Sequence, residues 1–297
     1  MSIVINTPNG NIGRPLVQRL LKAGRKVTVI SRTPEKIADL VKLGAKVVQG
    51  SLDEQATLDA ALAGAEALFW LSPPAIRPDF NAWATANGQR AAQAVKAHGV
   101  KRVVLISSVG AQNGPGTGPV SVMKPLEEAF QAAAPNVVSL RAGFFMENLL
   151  RDVDSLVKAG AIFSVSPETK PLPMVATADI AAKAAEYLLD TSWTGHRCVG
   201  VHGPKDLTYP EVASILTEVL GQPVKYVRVG LEDLRKGMTG AGMPAFAVDN
   251  FVEMYGALLD GRMDPAEPRS KETTTPTTLA QFASTVLKPL VERARAS

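Results

Sequence analysis

Short apolar runs rich in valine and isoleucine, at 3–5, 27–30, 46–48, 67–71 and 103–106, alternate with longer stretches of helical periodicity. That alternation predicts strand–helix–strand units, and right-handed crossovers between parallel strands wind such units into one sheet covered on both faces. Between the first two runs, Ile12, Leu16, Leu20 and Leu21 fall on one helical face, and Gly24 stands where that helix stops. The next helix has Thr33 as its expected cap, Pro34 in its first position, Ile37, Leu40 and Val41 as its apolar face and Gly44 as its close. The rhythm repeats through 58–64 and 84–99, and 136–140 reads as a sixth strand.

Beyond that strand Pro167, Pro171 and Pro173 interrupt the pattern before a helix at 177–189. The chain is expected to leave the sheet here and return once, at the β-branched run 197–201, before a turn at Gly203 and Pro204. Thr208 and Glu211 form a capping box for a helix ending near Gly221; a Gly- and Met-rich loop over 237–243 and a helix from Thr277 complete the chain. The expected fold is therefore α/β: a doubly wound parallel Rossmann sheet built from 1–150, with 175–203 returning to it, and a smaller C-terminal α+β substrate lobe built from 151–174 and 204–297.

Composition narrows the function classes. The chain has 297 residues, 46% hydrophobic and 20% charged, with 32 basic against 28 acidic side chains scattered rather than gathered in runs, so nucleic acid is not implied. Cys198 is the only cysteine, which excludes an intramolecular disulfide and a Cys-rich metal site and reads as a buried small hydrophobe. No metal site is expected, because His98, His196 and His202 lie far apart, with His98 at a helix C-terminus. The N-terminus enters a strand without a charged leader and no apolar run is long enough to span a bilayer, so a cytoplasmic protein with no membrane contact is expected. A G-x-S-x-G elbow, a Walker loop and H-E-x-x-H are all missing, which removes the usual hydrolase and NTPase chemistries.

The first strand runs into Thr7, Pro8, Asn9, Gly10, Asn11, Ile12 and Gly13, where the first helix begins. A glycine pair between a strand and a helix is where a Rossmann fold holds a diphosphate: Gly10 admits the phosphates, Gly13 lets helix and strand pack closely, and the helix N-terminus offers free N–H groups. Asn9 and Asn11 add donors. At the end of the second strand, where an NAD site carries a carboxylate, stand Ser31 and Arg32. A guanidinium clamps a 2′-phosphate that a carboxylate would repel, so NADP(H) is the expected cofactor, with NAD(H) as the alternative. The same topology places Ser51 near the adenine, and Leu71, Ser72 and Ser107 near the nicotinamide.

Gly10 to Arg14, the run Ser107 to Ala111, Lys124 with Glu127, and Arg141 to Gly143 followed by Phe144 to Asn148 together resemble the NmrA-like branch of the atypical short-chain dehydrogenases/reductases, over nearly the whole chain. The resemblance implies NAD(P) binding and a smaller lobe over the nicotinamide. Members of that branch include quinone, triphenylmethane-type and phenylpropanoid reductases, and cofactor-binding regulators without turnover. Thr7 departs from it where the first loop glycine is expected, and Ser51 where many members carry aspartate.

Short-chain dehydrogenases protonate substrate oxygen with a tyrosine four residues before a lysine; here Val120 precedes Lys124, and Tyr187, Tyr209, Tyr226 and Tyr255 have no lysine four positions on. The reading is hydride transfer from NADPH to a quinone or similar flat conjugated acceptor that needs no dedicated acid. Lys124 and Ser107 are the catalytic candidates, Lys124 holding the nicotinamide ribose, and Phe144 joins the cofactor contacts. Trp70, Phe145, Asn148 and Met243 line the expected acceptor pocket. The alternative is a non-catalytic NADP(H) sensor acting through a protein partner; a homodimer is also open. The loop 110–119, with four glycines, is either a closing flap or a mobile connection.

Overall fold

The computed structural model describes residues 2–296 of the chain. Its first six strands, β1 (Ser2–Ile5), β2 (Lys26–Ser31), β3 (Lys46–Gln49), β4 (Ala67–Leu71), β5 (Arg102–Ser108) and β6 (Asn136–Ala142), coincide with the apolar runs. The chain then leaves through β7 (Phe144–Phe145), β8 (Ala161–Ser164) and β9 (Leu172–Val175), and returns as β10 (Gly195–Val201). The seven-stranded sheet is parallel throughout, in the order β10-β6-β5-β4-β1-β2-β3.

Strand alternation sorts the side chains into two cores. Ile3, Ile5, Phe69, Val104 and Ile106 point to one face, where α1 (Gly13–Lys22), α2 (Ala38–Lys42) and, later in the chain, residues 177–189 pack. Val4, Leu68, Trp70, Val103 and Leu105 point to the other, under α3 (Gln55–Leu62), α4 (Phe80–Ala97) and α5 (Met123–Ala133). Because both faces are covered, the strands read as continuous apolar runs.

After α6 (Val153–Lys158) and α7 (Thr177–Leu189) the chain builds its remaining elements: β11 (Asp206–Leu207), α8 (Tyr209–Leu220), β12 (Lys225–Arg228), α9 (Leu231–Gly240), α10 (Ala245–Leu259), α11 (Leu279–Phe282) and α12 (Lys288–Ala296). β8 pairs with β12, and β9 with β7 and β11, in two small sheets beside the main one. The Thr208–Glu211 capping box is present and Gly221 ends α8 in the left-handed conformation. No helix among the described residues is long and apolar enough to cross a membrane.

Local readings differ at four places. Thr33 makes no side-chain cap bond; a short 3-10 turn over 34–37 precedes α2, and Val41 is 42% exposed rather than on the packed face. Residues 237–240 belong to α9 rather than to a loop, because Leu231 and Leu234 dock that helix on the cluster around Ala257 and Leu258. Cys198 is half-buried beside a carboxylate, its Sγ 3.8 Å from Glu127 Oε2, and burial pushes the thiol up to about 11. Finally, the glycine-rich loop 110–119 is neither free nor bare. Asn113 Nδ2 donates to Arg262 O at 2.6 Å, Arg262 Nη1 to Gly116 O at 2.6 Å and Gly118 N to Glu253 at 3.1 Å, so the loop is clamped under α10 and the segment after it.

Candidate active site

β1 is followed by Asn6, whose fully buried side chain donates to Leu71 O and accepts from Leu71 N, each at 2.8 Å. These bonds tie β1 to β4 where the strand order reverses. From this seam α1 departs to one face and α4 to the other, which opens the crevice where doubly wound sheets take their ligands.

Thr7 follows with φ +54°, the one non-glycine residue in the left-handed region among those described. A β-branched residue there costs about 1–2 kcal/mol. The surrounding loop enforces it: Gly10 N donates to Thr7 O at 3.3 Å, and a Cβ on Gly13 would stand 2.1 Å from that oxygen. Gly13 is thus required by packing. Gly10 is not, since a Cβ there would meet nothing nearer than Thr7 O at 3.7 Å, and its φ lies outside the left-handed region. Around it the N–H groups of Asn11 and Ile12 find no acceptor among the described residues, and Thr7 Oγ1 and Ser72 Oγ are buried without partners. Unpartnered donors beside an open glycine at a helix N-terminus suit a dinucleotide diphosphate.

The other expected cofactor contacts fall into two groups. Arg32 is exposed at the end of β2 with no ion pair or hydrogen bond among the described residues, and Ser31 Oγ beside it accepts from Thr33 N at 3.2 Å. Asn11 is exposed in the loop, and Leu71 is half-buried at the crevice. Asn9 is committed to structure, its Oδ1 accepting from Arg14 Nη2 at 2.5 Å while Arg14 also pairs with Asp39. Ile12 puts its side chain into the core and leaves only its backbone to the loop. Ser51 Oγ donates to Asp53 Oδ2 at 3.0 Å, so a carboxylate stands two residues beyond the position where it was expected.

Lys124 sits exposed in the first turn of α5, with no charged partner among the described residues and its stem beside Gly114. Ser107 is corrected: its hydroxyl points inward and donates to Glu127 Oε1 at 2.6 Å, and the residue is 3% exposed. Glu127 in turn accepts from Arg141 Nε at 3.0 Å and Nη2 at 2.7 Å, while Arg141 Nη1 reaches Glu267 at 2.8 Å. This buried chain joins β5, α5 and β6 to the segment after α10, a structural task that occupies the Ser107 hydroxyl.

A cavity of about 1110 Å³ opens beyond the carboxyl end of β4. The segment 74–82 forms one wall and α10 the other, with Phe80, Met243, Phe246 and Phe251 supplying aromatic and apolar surface and Arg151 one charged corner. Met243, one of the residues expected at the acceptor pocket, lines this cavity. Trp70 is corrected: it is 0% exposed, points into the opposite core and packs on Phe130 with ring centroids 5.8 Å apart. Its neighbours in the strand alternate faces, and the indole takes the face away from the crevice. Phe144 is half-buried between two apolar clusters of the C-terminal elements, Phe145 packs on the main core, and Asn148 is exposed; none of the three lines this cavity.

The sequence profile of the NmrA-like family matches residues 1–283. The chain belongs to the NmrA-like family. Among curated proteins, an NAD(P)H azoreductase from Xenophilus azovorans is 32% identical over 260 residues, which are 85% of this chain and 86% of that protein. A (4-alkanoyl-5-oxo-2,5-dihydrofuran-3-yl)methyl phosphate reductase from Streptomyces griseus is 28% identical over 82% of this chain and 83% of its own. The NADPH complex of a quinone oxidoreductase from Escherichia coli shares the fold, with a TM-score of 0.83 at 23% identity over 96% of this chain and 99% of that one. So does triphenylmethane reductase from Citrobacter sp., with a TM-score of 0.77 at 22% identity over 99% and 100% of the two chains.

Several residues of this NmrA-like site escaped the sequence reading. Asn6 pairs with a residue 65 positions away, and that contact has no local signature. Phe246 and Phe251 lay within an unassigned apolar stretch, while Pro73, Pro74 and Pro78 beyond β4 were the available sign of an irregular wall. Arg151 carried no signal. Its place depends on the turn over 146–152 that follows β7.

Proposed function

We propose that this NmrA-like protein is an NADPH-dependent oxidoreductase whose acceptor is a flat conjugated molecule of the quinone or azo class, seated in the cavity beneath α10. The observation that carries the reading is spatial: the aromatic-lined cavity leaves the carboxyl end of β4, the strand that Asn6 ties to the anion-cradling loop. The names of the azoreductase and quinone reductase relatives support it. When bound, the nicotinamide supplies a hydride.

The chain's own residues do the rest. The amides of Asn11 and Ile12 bind the diphosphate, and Arg32 binds the 2′-phosphate, a bidentate charge-assisted contact that NADH lacks. Lys124 orients the ribose on the nicotinamide side. Phe80, Met243, Phe246 and Phe251 stack on the acceptor and exclude water. With a quinone as acceptor no side chain need deliver a proton. Val120 occupies the position of the usual acid, and a quinone that accepts hydride leaves as a phenolate, whose conjugate acid has a pKa of about 10 and takes its proton from water.

The test is NADPH oxidation, followed by absorbance, with a panel of quinones, azo dyes and triphenylmethane dyes. Turnover of at least one class is expected, with NADPH favoured over NADH. Saturable NADPH binding without oxidation across the panel would overturn the enzymatic reading in favour of a cofactor-sensing regulator.

A further inference from the structure

The charges around the cavity are not equivalent. Arg77 and Asp79 bond each other at 2.5 and 2.8 Å. Asp249 is held by Arg235, and Glu253 accepts from Gly118 N at 3.1 Å. Arg151 alone among the charged lining groups has no hydrogen-bonded partner among the described residues. Asp152 follows it in the chain and lowers its isolation electrostatically, but forms no ion pair with it.

Arg151, an exposed residue on the turn over 146–152, lines the same cavity as Phe80, Phe246 and Phe251. At the rim, Ile76 is 74% exposed, apolar surface that a flat ligand body would cover. A planar fork of N–H donors matches the oxygens of a carboxylate, sulfonate or phosphate, and such a contact is strongest where apolar walls exclude water. Asp79 and Asp249 are each paired with an arginine, so of the lining acids Glu253, bonded to the neutral amide of Gly118, is the one whose charge opposes an incoming anion.

We infer that Arg151 is a specificity-determining residue that receives an oxyanion substituent on the conjugated acceptor, so that anionic acceptors are favoured over their neutral parents. This rests on the oxidoreductase reading for its kinetic consequence, but not for the binding event. The contact is made in the ground state and in the transition state alike, so it lowers KM and leaves kcat largely to the ring.

The test compares a naphthoquinone with its ring sulfonate, in the wild type and in Arg151→Gln and Arg151→Lys. The readout is the ratio of the two KM values, in which the intrinsic reactivity of each quinone and any general loss of activity cancel between variants. Arg151→Gln is expected to shift that ratio about ten-fold against the sulfonate, with Arg151→Lys recovering part of it. An unchanged ratio overturns the inference. So does a rise in the KM for NADPH that is equal with both quinones, which would assign Arg151 to a cofactor phosphate. If no acceptor turns over, the oxidoreductase reading fails by itself, and equilibrium binding of a fluorescent naphthalene sulfonate decides separately: binding about ten-fold weaker in Arg151→Gln supports the anion site, and equal affinity overturns it.

Discussion

Asn6 and Leu71 hold each other by two hydrogen bonds of 2.8 Å, side chain to backbone, across the seam between β1 and β4. The seam is where the loop proposed to hold the cofactor meets the cavity proposed for the acceptor, so the pair sets the spacing of both. Asn6→Ala leaves an N–H and a C=O of Leu71 without partners in a poorly solvated place. We expect a loss of about 2–4 kcal/mol in urea denaturation, with weaker NADPH binding in the folded fraction. A change below about 0.5 kcal/mol would show that water replaces the amide without cost.

Thr7 keeps a strained backbone and a buried hydroxyl with no internal partner. Thr7→Val retains the β-branch and removes only the hydroxyl. Because that hydroxyl is buried and unpaired, the variant is expected to gain about 1 kcal/mol in urea denaturation, with NADPH affinity unchanged in a fluorescence titration. A loss of stability would mean that the hydroxyl has a partner in solution.

Arg32 stands at the end of β2 without partners among the described residues. Arg32→Ala is expected to weaken NADPH about ten- to hundred-fold while NADH changes by less than about two-fold. Equal losses for both cofactors would remove Arg32 from the 2′-phosphate.

The main sheet was legible because strands buried on both faces leave unbroken runs of Val, Ile and Leu, and because Gly24 and Gly44 mark where helices end. The turn from β1 into α1 was legible for the same local reason, strand into glycine pair into helix. The acceptor side was not. Periodicity does not say which face of the sheet Trp70 takes, and a serine at a strand end looks the same whether it faces a ligand or, like Ser107, a buried glutamate. Arg151 and Phe246 meet only through tertiary contacts of the C-terminal elements, which no local pattern encodes.

Glu127 and Arg141 form a buried ion pair, bidentate at 3.0 and 2.7 Å. Removing one partner strands the other's charge, so Glu127→Ala should cost about 3–5 kcal/mol, and the Glu127→Leu, Arg141→Met double variant clearly less than the sum of its single variants. Additive losses in a double-mutant cycle would show the two to be uncoupled.

Asp152 is pushed up to about 6 by burial, against the weaker opposing pull of Arg151. A folded-state pKa above the unfolded value favours folding most when the group is protonated. The contribution is complete below about pH 4 and is lost as the pH rises through about 6. Asp152→Asn should therefore be more stable than the wild type above pH 6, by at most about 3 kcal/mol, with the difference closing toward pH 4. A constant difference across that range in thermal melts would contradict the burial argument.

The central claim is that a dinucleotide diphosphate lies against Gly10, and one variant separates this from a merely structural glycine. A Cβ at Gly10 fits the free protein, with nothing nearer than 3.7 Å, yet it stands where the phosphates approach. Calorimetric titration of Gly10→Ala with NADPH, beside its melting temperature, should give a fold as stable as the wild type and an affinity lower by about ten-fold or more. Wild-type affinity in a folded Gly10→Ala protein would contradict the account.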